Sequence, residues 1–203
     1  MIKELCEKYN ANKGSDELSK YFPENYEHHF KSIRNKKLNI LEIGVQGGGS
    51  LKVWADYFSN ATITGVDINK KCLQHETDRV KVLIGDQSDK EFLSGFGTYD
   101  IIIDDGGHEM KQQKTSLKVL WSHLNPGGIY VIEDLETSYW PQFGGKLRGK
   151  KTAISYLKKF IDKVNWRAIC HKRAEEHRID ANENGVESIH FYPSICFIHK
   201  RNI

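Results

Sequence analysis

Ile101-Ile102-Ile103-Asp104-Asp105-Gly106-Gly107-His108 and Ile129-Tyr130-Val131-Ile132-Glu133-Asp134 decide the fold of this chain. Each is a continuous apolar run that ends in carboxylates. Such runs read as strands buried on both faces, the pattern of a parallel sheet covered by helices. The carboxylates then fall at the C-terminal ends of the strands, the edge where open α/β sheets bind ligands. Acidic side chains and a histidine gathered there predict a site for a hard metal ion with a base beside it.

Working outward, short apolar runs alternate with helix-like stretches. Strands are predicted at Leu38–Ile43, Thr62–Asp67, Val80–Ile84, Tyr99–Asp104 and Ile129–Glu133, with helices at Ser50–Phe58 and Lys111–His123. Asn125-Pro126-Gly127-Gly128 ends the second helix. A further helix is predicted at Thr152–Val164, and two late strands at Trp166–Cys170 and Ser188–His199. The sum is an α/β fold, doubly wound and Rossmann-like, with a mostly parallel seven-stranded sheet and a closing antiparallel hairpin. Residues 1–36 form an expected N-terminal helical segment, broken at residues 10–15, ahead of a domain over 37–203, the whole compact. Thr137–Gly145, which joins aromatics to a Gly-Gly pair, reads as a mobile lid.

Bulk properties bound the function. The 203 residues suffice for one α/β domain with a full core. No apolar run approaches the roughly 20 residues of a membrane helix, and the N-terminus has no signal-peptide pattern. Cys6, Cys72, Cys170 and Cys196 are scattered, which predicts reduced structural thiols and a cytoplasmic protein. A net charge of +3 is too small to call for nucleic acid. Lys146–Arg178 is strongly basic, which suits a solvated helix face or a rim that attracts an anionic substrate.

The nucleotide end of the sheet carries its own signals. Glu42-Ile43-Gly44-Val45-Gln46-Gly47-Gly48-Gly49-Ser50 follows the first strand and opens a helix. Glycines allow close backbone approach to a cofactor, but Glu42 stands where a dinucleotide fingerprint has its first glycine. A carboxylate there repels pyrophosphate and suits a cationic sulfonium, favouring S-adenosylmethionine over NAD. Asp67, before Ile68, ends the second strand and is placed for ribose hydroxyls. Asp86, in Asp86-Gln87-Ser88, follows the third and is placed for the adenine amino group. Each acid alone also reads as a turn cap.

Glu42-x-Gly44, Gly65-Val66-Asp67, Gly85–Asp89, Asp104–His108 and Val131–Leu135 together resemble class I S-adenosylmethionine-dependent methyltransferases. More narrowly, the chain is similar to the metal-dependent sugar O-methyltransferases of macrolide and glycoside biosynthesis, from about Asn12 to Gly145. That resemblance implies Mg²⁺, or Mn²⁺, bound by Asp105, Glu133 and Asp134, with His108 as catalytic base. It implies cofactor contacts from Glu42, Asp67 and the Asp86–Ser88 loop. Gly44, Gly47, Ser50 and Ile68 complete the expected cofactor set, with Lys13 and Ser15 closing over the cofactor carboxylate and Asp104 at its adenosine end. Tyr139 and Trp140 are placed to stack on a sugar. Two departures stand out: macrolide members carry a long N-terminal domain where about 36 residues precede the first strand here, and Gly107 replaces the usual Ser. The expected activity is methylation of a hydroxyl on a sugar or glycosylated metabolite. Its substrate is a small molecule or saccharide, with no nucleic acid and no membrane, and homo-oligomerisation is compatible with it. A metal-dependent hydroxylase or hydrolase, or a non-catalytic cofactor-binding module, are the alternatives.

Overall fold

A computed structural model describes residues 1–166 and 185–202. Seven strands, β1 (Asn39–Ile43), β2 (Thr62–Asp67), β3 (Val80–Ile84), β4 (Tyr99–Asp104), β5 (Leu124–Ile132), β6 (Val186–Tyr192) and β7 (Ile195–Lys200), form one sheet in the order β3-β2-β1-β4-β5-β7-β6. The first five are mutually parallel, whereas β7 runs antiparallel to β5 and β6. Strand order reverses between β1 and β4. Loops leaving these two strands diverge and open a crevice at their C-terminal ends.

Alternation along each strand sends side chains to two faces. Ile40, Ile101, Ile103, Val131 and Phe197 meet α1 (Ile2–Tyr9), α2 (Phe22–Phe30) and α3 (Gly49–Tyr57) on one face. There Tyr26, Phe30, Trp54, Phe58 and Phe197 form an aromatic layer, with neighbouring ring centroids 4.9–6.2 Å apart. Leu41, Ile102, Tyr130, Ile132 and Ile198 meet α5 (Met110–Leu120), α6 (Ala153–Leu157) and α7 (Lys159–Val164) on the other face; α4 (Lys90–Ser94) flanks α5. The N-terminal helices therefore belong to the main core. Their apolar stripes would otherwise face water.

Three expectations are revised. The predicted late strand Ser188–His199 is a hairpin of two strands turned at Pro193-Ser194, with Ser194 left-handed at φ 63°. β-rich composition marks both arms alike and does not show where they fold back. The earlier prediction at Trp166–Cys170 falls, after Trp166, outside the described residues. β5 begins at Leu124, through Asn125-Pro126-Gly127-Gly128, since Leu124 already pairs with Tyr99 across a register shift. Finally, Thr137–Gly145 is built of two 3-10 turns bound to their surroundings, not a free lid. Thr137 Oγ1 donates to His108 O at 3.1 Å and Ile154 N–H to Ser138 Oγ at 3.3 Å, while bonds from Lys146 N–H to Ser138 O and from Gly145 N–H to Trp140 O, both at 2.9 Å, close the segment on itself.

Candidate functional site

The crevice is a cavity of about 420 Å³ lined by residues from the ends of all five parallel strands, among them Gly44, Asp67, Asp86, Asp105 and Asp134. That is ample for a cofactor-sized molecule. The loop after β1 shapes its floor. Gly44 has φ +96°, and a Cβ there would lie 1.9 Å from Asp105 O, so only glycine lets the β1 and β4 exits touch. Asp67 braces the same loop: Oδ2 accepts from the N–H groups of Val45 (3.0 Å) and Gln46 (2.9 Å), and Oδ1 from Asn69 N–H (2.8 Å). Partial burial opposes its charge, yet these backbone donors hold the carboxyl below its ordinary range.

Strand ends supply the carboxylates. Asp104, the last residue of β4, points to the α5 face. Gln87 Nε2 donates to Asp104 Oδ1 (3.0 Å) and to Ser116 Oγ (3.0 Å), while Gln87 Oε1 accepts from Gly107 N–H (2.7 Å). Burial pushes Asp104 up to about 6, and its Oδ2 has no protein partner. β5 stops at Ile132, and Asp134 takes a left-handed conformation at φ 54°. Adjacent strand residues point to opposite faces; ending the strand here frees Asp134 to turn back toward the cleft. Its Oδ2 lies 3.2 Å from His108 Nε2, and His108 is itself left-handed at φ 57°. Ligand atoms of Asp105, His108 and Asp134 all lie within 4.8 Å of one another.

Behind Asp105 lies a second cluster, centred on Lys13. The Lys13 ammonium donates to Asp105 Oδ2 (2.8 Å) and Glu133 Oε1 (2.5 Å) and lies 3.4 Å from Glu42 Oε1. Tyr26 O–H also donates to Glu133 Oε1. Glu42 accepts from Ser50 Oγ (2.8 Å) and Trp54 Nε1 (3.0 Å). Lys13, Glu42 and Glu133 are almost wholly buried. Burial, with the Asp105 charge adding to it, pushes Glu133 up to about 8; burial also dominates at Asp134, raised to about 6. Burial opposes the Lys13 charge, but Asp105, Glu133 and Glu42 outweigh it and hold the ammonium protonated. One ammonium thus faces three carboxylates. Burial drives Glu133 and the nearby Asp134 toward their protonated forms; a divalent cation would hold both ionised, and an oxygen-rich donor set suits Mg²⁺ or Mn²⁺.

The structure sorts the sequence-predicted residues into groups. Gly44, Gly47, Ser50, Asp67, Ile68, Asp86, Gln87, Asp105, His108 and Asp134 line the cleft. Glu42, Lys13 and Glu133 meet in the buried cluster beneath it. Asp104 sits against Gln87. Ser15 Oγ donates to Asn12 O, and Ser88 N–H donates to Asp86 Oδ1. Tyr139 and Trp140 are largely exposed on the turns that follow Asp134. Sequence reasoning missed Tyr26 and Trp54, whose polar tips satisfy Glu133 and Glu42, and Asn10–Asn12, which line the cleft. No local pattern marks them: Tyr26 lies 107 residues from its carboxylate partner.

A mostly parallel sheet with a closing antiparallel hairpin and a cleft at the strand reversal is a Rossmann-like methyltransferase fold. Residues 41–135 match the methyltransferase domain family, and the chain carries that domain. It is 36% identical over 188 residues to the 8-demethyl-8-α-L-rhamnosyl tetracenomycin-C 2'-O-methyltransferase of Streptomyces olivaceus, covering 87% of this chain and 49% of that protein. It is 36% identical over 195 residues to the mycinamicin VI 2''-O-methyltransferase of Micromonospora griseorubida, covering 89% and 48%. The solved methyltransferase MycE of the mycinamycin pathway, in complex with Mg and SAH, superposes with a TM-score of 0.89 at 33% identity, over 99% of this chain and 53% of that one. The chain spans about half the length of the curated relatives it matches. Among the described residues no helix is long and apolar enough to cross a membrane.

Proposed function

We propose that this chain transfers a methyl group from S-adenosylmethionine to a hydroxyl of a sugar or glycosylated metabolite, assisted by Mg²⁺ or Mn²⁺. One observation carries the reading: the cleft at the strand reversal opens directly onto Asp105, His108 and Asp134. A donor seated on the Gly44–Ser50 loop has ribose and adenine acceptors within reach at Asp67 and Asp86. Its reactive end then faces the carboxylates.

A sugar hydroxyl is a poor nucleophile at neutral pH because it keeps its proton. Asp105, Glu133 and Asp134 are the residues that would hold the cation. When bound, it lowers the pKa of a hydroxyl that it polarises. His108 takes the proton: its imidazole meets the Asp134 carboxylate at 3.2 Å, and that carboxylate stabilises the imidazolium formed. Fixing acceptor and donor in one cleft turns a bimolecular encounter into a positioned transfer. Tyr139 and Trp140 offer apolar faces for the acceptor. The free, buried thiols of Cys6, Cys72 and Cys196 support a cytoplasmic setting.

Calorimetry with S-adenosylhomocysteine and Mg²⁺ tests the donor half, with micromolar binding expected; no binding at millimolar ligand overturns it. Incubation with S-adenosylmethionine and a panel of glycosides, read by mass, tests the reaction. A gain of one CH₂ that disappears after exhaustive chelation is expected. A gain of oxygen or a cleavage product instead identifies a hydroxylase or hydrolase.

A further inference from the structure

Residues 10–12 form a strap that lines the donor cleft, with Lys13 buried at its downstream end. α1 ends at Asn10, which is left-handed at φ 51°, and Ala11 N–H donates back to Cys6 O at 2.9 Å. Asn10, Ala11 and Asn12 line the cleft together with Gly44, Asp67 and Asp86. The strap rests on the first residue of α3: a Cβ on Gly49 would lie 2.9 Å from Tyr9 O and 3.0 Å from Ala11 Cα. Tyr9 O–H and Lys8 hold its upstream end to Asp56, at 2.5 and 2.9 Å. At its downstream end Asn12 O accepts from Ser15 N–H (3.1 Å) and Ser15 Oγ (2.7 Å), and Lys13 ties the strap to the sheet. The Lys13 side chain is 1% exposed, its ammonium sits among Asp105, Glu133 and Glu42, and the rings of Trp54 and Tyr26 lie about 6 Å away. A cleft-lining strap is thus fastened to carboxylates at the ends of β1, β4 and β5, of which Asp105 also lines the cleft.

We propose that Lys13 is a positioning residue, a latch that fixes the 10–12 strap against the donor cleft by planting its ammonium among Glu42, Asp105 and Glu133. This rests on the reading of the cleft as the donor site. Lys13 does not touch the reacting atoms. It joins the two halves of the site, so that order among the carboxylates is transmitted to the wall of the donor pocket. One oxygen of Asp105 and one of Glu133 are taken by the ammonium, and the other oxygen of each remains free for the cation. A long, buried cation suits this role because unpairing it inside the protein is costly, which keeps the strap closed.

Lys13→Met keeps the stem and removes the charge; Lys13→Arg keeps the charge. Two measurements on metal-free protein decide the matter: amide hydrogen exchange over residues 7–15, and the Kd for S-adenosylhomocysteine by calorimetry. Lys13→Met is expected to exchange at least about tenfold faster over 7–15 while the α5 and β4 amides stay protected, and to bind about tenfold or more weakly. Lys13→Arg is expected to recover most of both effects. If Lys13→Met does not fold, the double variant Lys13→Met/Glu133→Gln, which removes a facing charge together with the ammonium, is expected to show the same two effects. Unchanged exchange, or unchanged affinity in a folded variant, overturns the latch. Wild-type protein that fails to bind S-adenosylhomocysteine overturns the donor-site reading instead, and the exchange measurement then still decides the latch.

Discussion

The aromatic layer beneath α1, α2 and α3 is fully buried, whereas the carboxylate edge above it is buried at Glu42, Asp104 and Glu133 and partly open at Asp105, His108 and Asp134, and the two are built on opposite rules. In the layer, Tyr26, Phe30, Trp54, Phe58 and Phe197 pack ring on ring, fully buried. At the edge, three acids share one ammonium, Gln46, His108 and Asp134 hold left-handed backbones, and Asp104 Oδ2 and His108 Nδ1 have no protein partner. Strain and unsatisfied charge of this kind persist only where surrounding structure enforces them. The difference teaches that the layer supplies the rigidity and the edge uses it. Trp54 joins the two: its ring packs in the layer while its N–H holds Glu42.

The comparison breaks if a change at the edge unfolds the protein, or if a change in the layer spares it. The largest effect is expected at His108. Asparagine tolerates the left-handed backbone at this position, so His108→Asn should lower kcat by about 10²–10⁴-fold, the range for loss of a general base. Its melting temperature should move by only a few degrees. Substantial retained turnover would remove His108 from the chemistry. Next, Trp54→Ala should cost about 3–5 kcal/mol in chemical denaturation, as large-to-small core changes do. Trp54→Phe keeps most of the ring but leaves Glu42 Oε1 short of a donor, and should cost about 1–3 kcal/mol. An equal cost for both would assign the whole loss to the hydrogen bond, whereas no cost for Trp54→Phe would mean that the hydrogen bond contributes nothing.

An effect that grows only with falling pH is expected from acid. His29 stacks on Phe197 with centroids 4.1 Å apart and contacts His199 Nε2 at 2.9 Å and Tyr192 OH at 3.1 Å. Burial, with His199, His190 and His28 nearby, lowers it to about 3. The folded form holds His29 neutral, whereas the unfolded chain binds a proton near pH 6.5. Stability from this group is therefore complete above about pH 6.5 and lost as pH falls toward 3, at up to about 1.4 kcal/mol per pH unit. His29→Gln should flatten that limb of a stability–pH curve; an unaltered slope would refute the assignment. The smallest change is expected at Trp140, which is 38% exposed. Trp140→Ala should shift stability by no more than about 0.5 kcal/mol while raising KM for the acceptor. Parallel losses of stability and binding would make it a packing residue.

Much of this was legible in the chain. The apolar runs ending in Asp104-Asp105 and Glu133-Asp134 announce buried parallel strands because a run apolar on both faces has no other stable place. Glycine at position 44 and acids at 67 and 86 fall where a doubly wound sheet puts its ligand. Less legible was the division of labour among the acids. Glu42, Asp67, Asp104, Asp105, Glu133 and Asp134 look alike in sequence. In the fold, alternation turns Glu42 and Glu133 toward Lys13 and the aromatic layer, turns Asp104 toward Gln87 and α5, and leaves Asp105 and Asp134 with His108 at the cleft. The closing hairpin was expected, but its turn between β6 and β7 was hidden, since that turn rests on one left-handed serine.

The sequence by itself determined the fold class, the edge of the sheet that carries the site, and the residue types available there. Those follow from hydrophobic period and from turn chemistry, which act over a few neighbours. Only the tertiary structure decided that Lys13 and Tyr26 reach Glu133, that Trp54 reaches Glu42, and that Asn10–Asn12 wall the cleft. These site contacts, of which Lys13–Glu133 spans 120 residues, are made by the packing of the N-terminal segment and α3 onto the sheet, and no short-range pattern encodes which buried cation will meet which acid.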